Sequence, residues 1–284
     1  MPFAEIDGLN THYDVRGEGP ALLMYSPGGF DARMDKWSDL GVYARIRLMD
    51  HLPKHFTCIT FDRRENGLSD GRVEKITWDS YVRQGAGLLD HLGVDKAHLL
   101  GGCMGCCPVA AFGVALPQRV LSMVLYWPVG GAKYRISGHQ RFARHLAFVE
   151  ENGLPAVVDL VRSNDKNFSA DPRGGPWGQP IRNAESFASA YAAMDKARYL
   201  LTVTAMYRGL FDRDTAPGAE PEDLLSLDIP SLIVPGADDS HATSAARYLQ
   251  ECLKDSDYWD VPTKAQTEAN APARIIDFLT AVSR

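Results

Sequence analysis

The stretch His98-Leu-Leu-Gly101-Gly102-Cys103-Met104-Gly105 constrains this chain more than any other. It lies in an uncharged run, residues 97–118, about as long as a bilayer-spanning helix needs to be. Glycines at 101, 102, 105 and 113 and a proline at 108 divide that run, so it reads as a buried strand, a tight turn and a helix. The turn has the form Gly-x-Cys-x-Gly. A chain that reverses so sharply around residue 103 leaves no room for side chains at 101 and 105, and it presents the thiol of residue 103 at the C-terminal edge of a sheet.

The surrounding pattern agrees with such a sheet. Apolar runs at 21–25, 57–61, 98–100 and 121–126 alternate with amphipathic segments, one of them running through Leu88, Leu89 and Leu92. Continuous apolar strands separated by helices predict a mainly parallel sheet covered on both faces. From 127 to 224 the period becomes helical and rich in aromatics and arginines, with a Gly/Pro break at 171–178. Strand patterns resume at 230–235 and 258–261, before a last helix over 273–282. The simplest organisation is one α/β core, residues 1–126 and 225–284, interrupted by a helical insertion over 127–224; two strands and two helices at the C-terminus make a poor separate domain.

Charge narrows the partners. With 30 Lys+Arg against 36 Asp+Glu the net charge is −6, which argues against a nucleic-acid binder. The N-terminus lacks the basic-then-apolar pattern of a secretory signal. Three of five cysteines crowd together at 103, 106 and 107 instead of forming a spaced framework, so a reducing, cytoplasmic setting is expected. The expected partner is a small-molecule substrate, with no membrane, no cofactor and no metal; assembly into a homo-oligomer is left open.

Taken with three further segments, the elbow resembles the α/β-hydrolase superfamily over nearly the whole chain, with cysteine where serine usually stands. Ser26-Pro27-Gly28-Gly29-Phe30 occupies the place of the family's oxyanion loop. Asp62-Arg-Arg-Glu-Asn-Gly67-Leu-Ser69 is similar to its Asp-x-Arg-Gly-x-Gly-x-Ser turn, and Ile229 to Asp239 is similar to the strand and loop that supply its acid. The insertion falls where the family places a lid. The resemblance implies an α/β-hydrolase fold with a helical lid.

A thiolate is a better nucleophile than a neutral hydroxyl, and the helix N-terminus after Cys103 favours it. By the family's spacing Asp239, three residues after Gly236, is the expected acid and Asp238 the weaker candidate. No histidine stands at the usual site after the last strand, where 262–271 reads Pro-Thr-Lys-Ala-Gln-Thr-Glu-Ala-Asn-Ala. Of the eight histidines, His241 is the best substitute, being on the acid loop. His139 and His145, in the insertion, could reach down from above; His98 reads as core packing. The resemblance also implies that the N–H of Met104 and one from the Gly28-Gly29-Phe30 loop would receive an oxyanion.

The insertion's aromatics and arginines suggest a substrate pocket, with Phe30, Arg135, His139, His145 and Trp177 as candidate contacts and an arginine available to clamp a carboxylate. The expected activity is cofactor-free hydrolysis of a carboxylic ester, thioester or lactone through a cysteine acyl-enzyme. Two alternatives remain open: a lyase, decarboxylase or carbon–carbon bond-cleaving enzyme on the same fold, motivated by the missing C-terminal histidine, and a pseudoenzyme that only binds a small ligand. Cys103-x-x-Cys106 as a redox pair is disfavoured by the lack of a small independent domain, and zinc by the lack of a second ligand pair.

Overall fold

The computed structural model describes residues 2–283. Eight strands form one sheet in the order β1-β2-β4-β3-β5-β6-β7-β8: β1 Phe3–Ile6, β2 Leu9–Arg16, β3 Ala21–Tyr25, β4 Thr57–Phe61, β5 Ala97–Gly102, β6 Val120–Tyr126, β7 Ser231–Val234 and β8 Ser256–Tyr258. From β4 to β8 every pairing is parallel. The eighth strand sits two residues earlier than its expected start and is the shortest of the parallel set.

Side chains on the central strands alternate between two cores. Leu23, Tyr25, Leu99, Met123, Leu125 and Ile233 face one, while Leu22, Met24, Leu100, Val124, Leu232 and Val234 face the other. Helices Trp78–His91, Cys106–Ala115 and Thr243–Cys252 cover the first face, and Ala271–Val282 with the short helices of 41–51 cover the second. Burial on both faces is why these strands read as unbroken apolar runs. Helix Cys106–Ala115 is apolar all round because it is enclosed, with eight of its ten residues buried. Helix Trp78–His91 begins with a capping box in which Thr77 and Ser80 satisfy each other's backbone N–H.

An unforeseen element is the antiparallel hairpin β1-β2, which pairs with β4 and extends the sheet at one edge. Its turn is Asp7-Gly8, both at positive φ (53° and 67°), the backbone that a tight two-residue hairpin loop requires.

Between β6 and β7 the chain is helical: Ala132–Ser163, Gly178–Asn183, Glu185–Ala192, Lys196–Leu210 and Pro221–Leu225. The first of these is broken at Gly153, whose φ of 79° and ψ of 172° are not helical, with Pro155 just beyond. These helices pack on the C-terminal edge of the sheet through aromatic rings. Phe30, in the loop after β3, meets Phe142 at 5.4 Å and Phe168 at 5.7 Å between ring centroids.

Strand order positions the site. β3 lies between β4 and β5, so the chain leaves it in one direction and returns on the other side; loops at such a switch point diverge and open a crevice. Tyr25 and Gly101 are register partners, so the loop at 26–30 and residue 103 emerge next to each other.

Candidate active site

Residue 103 is held at φ 54°, in the left-handed region that non-glycine residues seldom occupy. Its neighbours explain how the strain is kept. A Cβ on Gly101 would stand 2.4 Å from the Gly105 carbonyl oxygen, and one on Gly105 would stand 2.2 Å from that of Tyr25. Both glycines therefore have to be glycines, and their close packing fixes the bend. The thiol projects into a pocket of about 140 Å³ whose floor and walls include Gly28, Gly29, Phe30, Met104, Tyr134, Arg141 and His241.

His241 meets Cys103. It is carried by the loop after β7, which is built around the Asp238 carboxylate. Oδ1 of Asp238 accepts the N–H groups of Ser240 (2.8 Å) and His241 (3.0 Å), and the ring Nδ1 of His241 lies 2.8 and 2.9 Å from its two oxygens. A single turn thus sets the loop's shape and orients the imidazole. The loop is tied to the chain after β6 by the Gly130 N–H, which donates to the Ser240 carbonyl at 3.1 Å. Gly236 lets the ring pack down: a Cβ there would sit 2.4 Å from that of His241 and 3.2 Å from the indole of Trp127, which flanks the imidazole at 5.4 Å.

With Nδ1 engaged by the acid, Nε2 is the nitrogen left for the thiol. It is buried without a well-aligned hydrogen-bond partner, and Cys103 is the group that acts on it. Catalytic contacts are often loose before a ligand tightens them. Burial alone would raise the thiol pKa. The imidazole, helped by the backbone N–H groups of Gly28 and Met104, outweighs burial and brings Cys103 below the ordinary thiol value. Burial likewise disfavours imidazolium, yet the Cys103 thiolate and then Asp238 raise His241 to about 9. The arrangement favours a thiolate–imidazolium pair, its acid a carboxylate held below its usual value because the imidazole contact outweighs partial burial.

The structure corrects the choice of acid. Asp239 is turned to solvent, four-fifths exposed, and pairs with Lys133; it touches no imidazole. Asp238 takes its place because an aspartate that caps its own turn must fold back over the next residues, and His241 is three residues on. Four other candidates also lie elsewhere. His139 bonds the Phe211 carbonyl. His145 is fully buried between the Arg173 carbonyl and the Tyr199 hydroxyl, and burial lowers it to about 4. Trp177 is packed against Tyr191 and Tyr199 with its indole N–H on the Arg72 carbonyl. Arg135 pairs with Asp214. His145 and Trp177 are thus spent on packing within the insertion, and Arg135 on a surface ion pair. The arginine that reaches the pocket is Arg141, and Phe30 also lines it.

Two residues outside the sequence reading support the site. Arg63, fully buried, donates to the Gly29 carbonyl and lies 4.9 Å over the Tyr81 ring, pinning the glycine loop from beneath. Its neighbour Asp62 accepts from the N–H groups of Met34 and Leu68 and bonds His12, which organises the turn. The second is Gln266. It occupies the stretch after the last strand where a histidine was expected, and it is buried and fully bonded. Its Oε1 accepts from Tyr126 (2.9 Å) and from the Trp127 indole (2.7 Å), and its Nε2 donates to the carbonyls of Pro235 and Val261 (3.0 Å each). Gln266 thereby fixes the indole against which His241 rests.

All five cysteines are free thiols. Cys106 donates to the Gly101 carbonyl at 3.1 Å and is held far above the ordinary thiol range by burial; burial also lifts Cys107 beyond it. Among the described residues no cluster of His, Cys, Asp and Glu has the form of a metal site, and no helix is long and apolar enough to cross a membrane.

Comparison with known proteins agrees with this architecture. A model described as the alpha/beta hydrolase fold matches residues 23–136. The chain is 25% identical over 206 residues to a 2-hydroxy-6-oxo-6-phenylhexa-2,4-dienoate hydrolase of Comamonas testosteroni, a match covering 68% of each protein. It is 30% identical over 159 residues to the dihydrolipoyllysine-residue acetyltransferase component of the acetoin cleaving system of Cupriavidus necator, covering 56% of this chain but only 40% of that protein. Among solved structures, the enol-lactonase from Burkholderia xenovorans LB400 superposes with a TM-score of 0.61 at 21% identity, covering 98% of this chain and 100% of that one. A thermophilic esterase from Thermogutta terrifontis does so at 0.65 and 17%, covering 99% of each. At these identities the structural matches establish the fold.

Proposed function

The chain belongs to the α/β-hydrolase superfamily, and from that premise we propose that it hydrolyses a carboxylic ester, thioester or lactone with Cys103 as nucleophile. The thiolate attacks the acyl carbonyl, forming a carbon–sulfur bond as the carbonyl π pair moves onto oxygen. The N–H groups of Gly28 and Met104, which favour the thiolate, receive that oxygen; one such donor is worth about 3–4 kcal/mol in comparable sites. Collapse breaks the bond to the leaving group, which takes its proton from the His241 imidazolium. The neutral imidazole then removes a proton from water, water adds to the thioester, and the carbon–sulfur bond breaks to release the acid and restore the ion pair. Asp238 keeps the imidazole in the tautomer and orientation that both proton transfers need. The helices between β6 and β7 act as a lid that excludes bulk water.

The observation that carries this reading is that Cys103, at a strained, glycine-framed bend with φ 54°, lines one pocket with His241, whose Nδ1 lies 2.8 Å from the Asp238 carboxylate. Similarity to a 2-hydroxy-6-oxo-6-phenylhexa-2,4-dienoate hydrolase supports hydrolysis in general. The test is 4-nitrophenyl acetate in stopped flow with mass spectrometry of the quenched protein. A burst of 4-nitrophenolate with an acetyl group on Cys103 is expected, and Cys103→Ala should remove both. Unchanged turnover in Cys103→Ala would refute the mechanism.

A further inference from the structure

We propose that the substrate of this site is a short acyl compound carrying its own carboxylate, gripped by the Arg141 guanidinium and the Tyr134 hydroxyl while Cys103 attacks the acyl carbonyl. The proposal rests on the acyl-transfer reading above and adds the substrate class.

Tyr134, Ser137, Gly138 and Arg141 recur at helical spacing, so one face of the helix Ala132–Ser163 looks into the pocket. A Cβ on Gly138 would run into the Phe211 ring at 2.3 Å, so that glycine allows Phe211 to close the wall. On this face two polar groups are unspent. The Tyr134 hydroxyl is buried and bonds to nothing in the protein. Among the described residues Arg141 makes no hydrogen bond or ion pair; its guanidinium has only the Phe168 ring, 5.9 Å away.

Partial burial outweighs the nearby Tyr134 and Cys103 charges and lowers the Arg141 pKa, a cost that an anionic ligand reduces. No aspartate or glutamate lines the pocket. A guanidinium without a carboxylate, beside a spare hydroxyl donor, is a ready receptor for a carboxylate in bidentate geometry. A neutral acyl chain would leave both unmet.

Size limits the class further. The pocket offers about 140 Å³, close to the ~150 Å³ cavity known to hold a benzene molecule. Arg141 and Cys103 lie near enough for the thiolate charge to act on the guanidinium, so few bonds separate the two ends of the ligand. A half-ester or half-thioester of a short dicarboxylic acid meets these limits, as does a small lactone bearing a carboxylate. The carboxylate stays intact through the reaction; only the acyl–heteroatom bond exchanges, with water as co-substrate.

Alkylation of Cys103 tests the proposal without knowledge of the natural substrate. Iodoacetate and iodoacetamide differ by one carboxylate and each puts a single group on sulfur with loss of iodide. Rates at Cys103, followed by peptide mass spectrometry, are compared with those of free cysteine. The iodoacetate-to-iodoacetamide ratio is expected to exceed the free-cysteine ratio by about tenfold or more. Arg141→Gln should collapse this excess, Arg141→Lys should keep part of it, and Tyr134→Phe should reduce it. Fast labelling by iodoacetamide with no excess for iodoacetate, or an excess that survives Arg141→Gln, overturns the carboxylate proposal and leaves the acyl-transfer reading standing. Labelling of Cys103 no faster than free cysteine by either reagent overturns that reading and the proposal with it.

Discussion

Replacing Asp238 by asparagine separates the two adjacent aspartates and measures what the acid contributes. The asparagine carbonyl can still accept the N–H groups of Ser240 and His241, so the loop keeps its turn; what disappears is the anion at 2.8–2.9 Å from Nδ1. A hydrogen bond to a charged group is worth about 1.5–3 kcal/mol. The Asp238 side chain is 51% exposed, so solvent screening places the loss near the lower end, about 1.5–2 kcal/mol. That corresponds to acylation about 10–30-fold slower, well short of the ~10⁴ seen when a serine triad loses its acid, because here the thiolate is formed before attack. Asp239→Asn removes only an exposed contact with Lys133 and should change the rate by less than about twofold. The assay is the burst rate with 4-nitrophenyl acetate, with urea unfolding to confirm that each variant is folded. Equal rates for wild type and Asp238→Asn, or an equal loss in Asp239→Asn, would refute the assignment of the acid.

Cys106→Ala should retain acylation within about threefold, since that thiol is spent on the Gly101 carbonyl; loss comparable to Cys103→Ala would assign the chemistry to the wrong sulfur. Gln266→Ala leaves the Tyr126 hydroxyl and the Trp127 indole without their acceptor and should destabilise the fold by about 2–4 kcal/mol in urea, while slowing acylation through the Trp127–His241 contact. Gln266→Glu restores an acceptor and should recover part of the rate. Gly105→Ala should lower stability by at least about 1–3 kcal/mol, because its Cβ collides with the Tyr25 carbonyl; an unchanged urea midpoint would show that the bend relaxes freely. Acid should destabilise the protein through His98, whose burial between Ser122 and Ser283 lowers it from 6.5 to about 4. A histidine depressed on folding contributes stability in full above its unfolded value and loses it as pH falls from about 6.5 toward about 4. His98→Asn should therefore flatten the urea midpoint over that window, and an unaltered pH slope would count against it.

The elbow was readable in the sequence because its reason is steric: two glycines must flank the bend wherever strand and helix meet this closely, and both collisions are found at Gly101 and Gly105. The central strands were readable because burial on both faces leaves only apolar residues in them. The β1-β2 hairpin escaped notice because its strands mix polar with apolar residues, as in Leu9-Asn-Thr-His-Tyr-Asp, yet Asp7-Gly8 between two such runs is a hairpin signal. Family spacing singled out Asp239, whereas the turn chemistry of Asp-Asp-Ser-His favours the aspartate that caps the loop, and local hydrogen bonding decided the matter. The insertion's arginines and histidines could not be sorted by spacing alone. Arg135 and Arg141 share a helix, but one pairs with Asp214 and the other lines the pocket near the Phe168 ring, which spacing alone does not distinguish. Gln266 carried no signal, since a lone glutamine in a loop says nothing about the four groups that converge on it.

The central claim is that sulfur and imidazole share their charges at rest, and the thiolate's ultraviolet absorbance reads this directly as the difference between wild type and Cys103→Ser across pH. The difference should already be present at pH 7, disappear only on acidification, and shift to higher pH in His241→Ala. A difference that emerges only as pH passes the free-thiol value of about 8.5, with or without His241, would contradict the account.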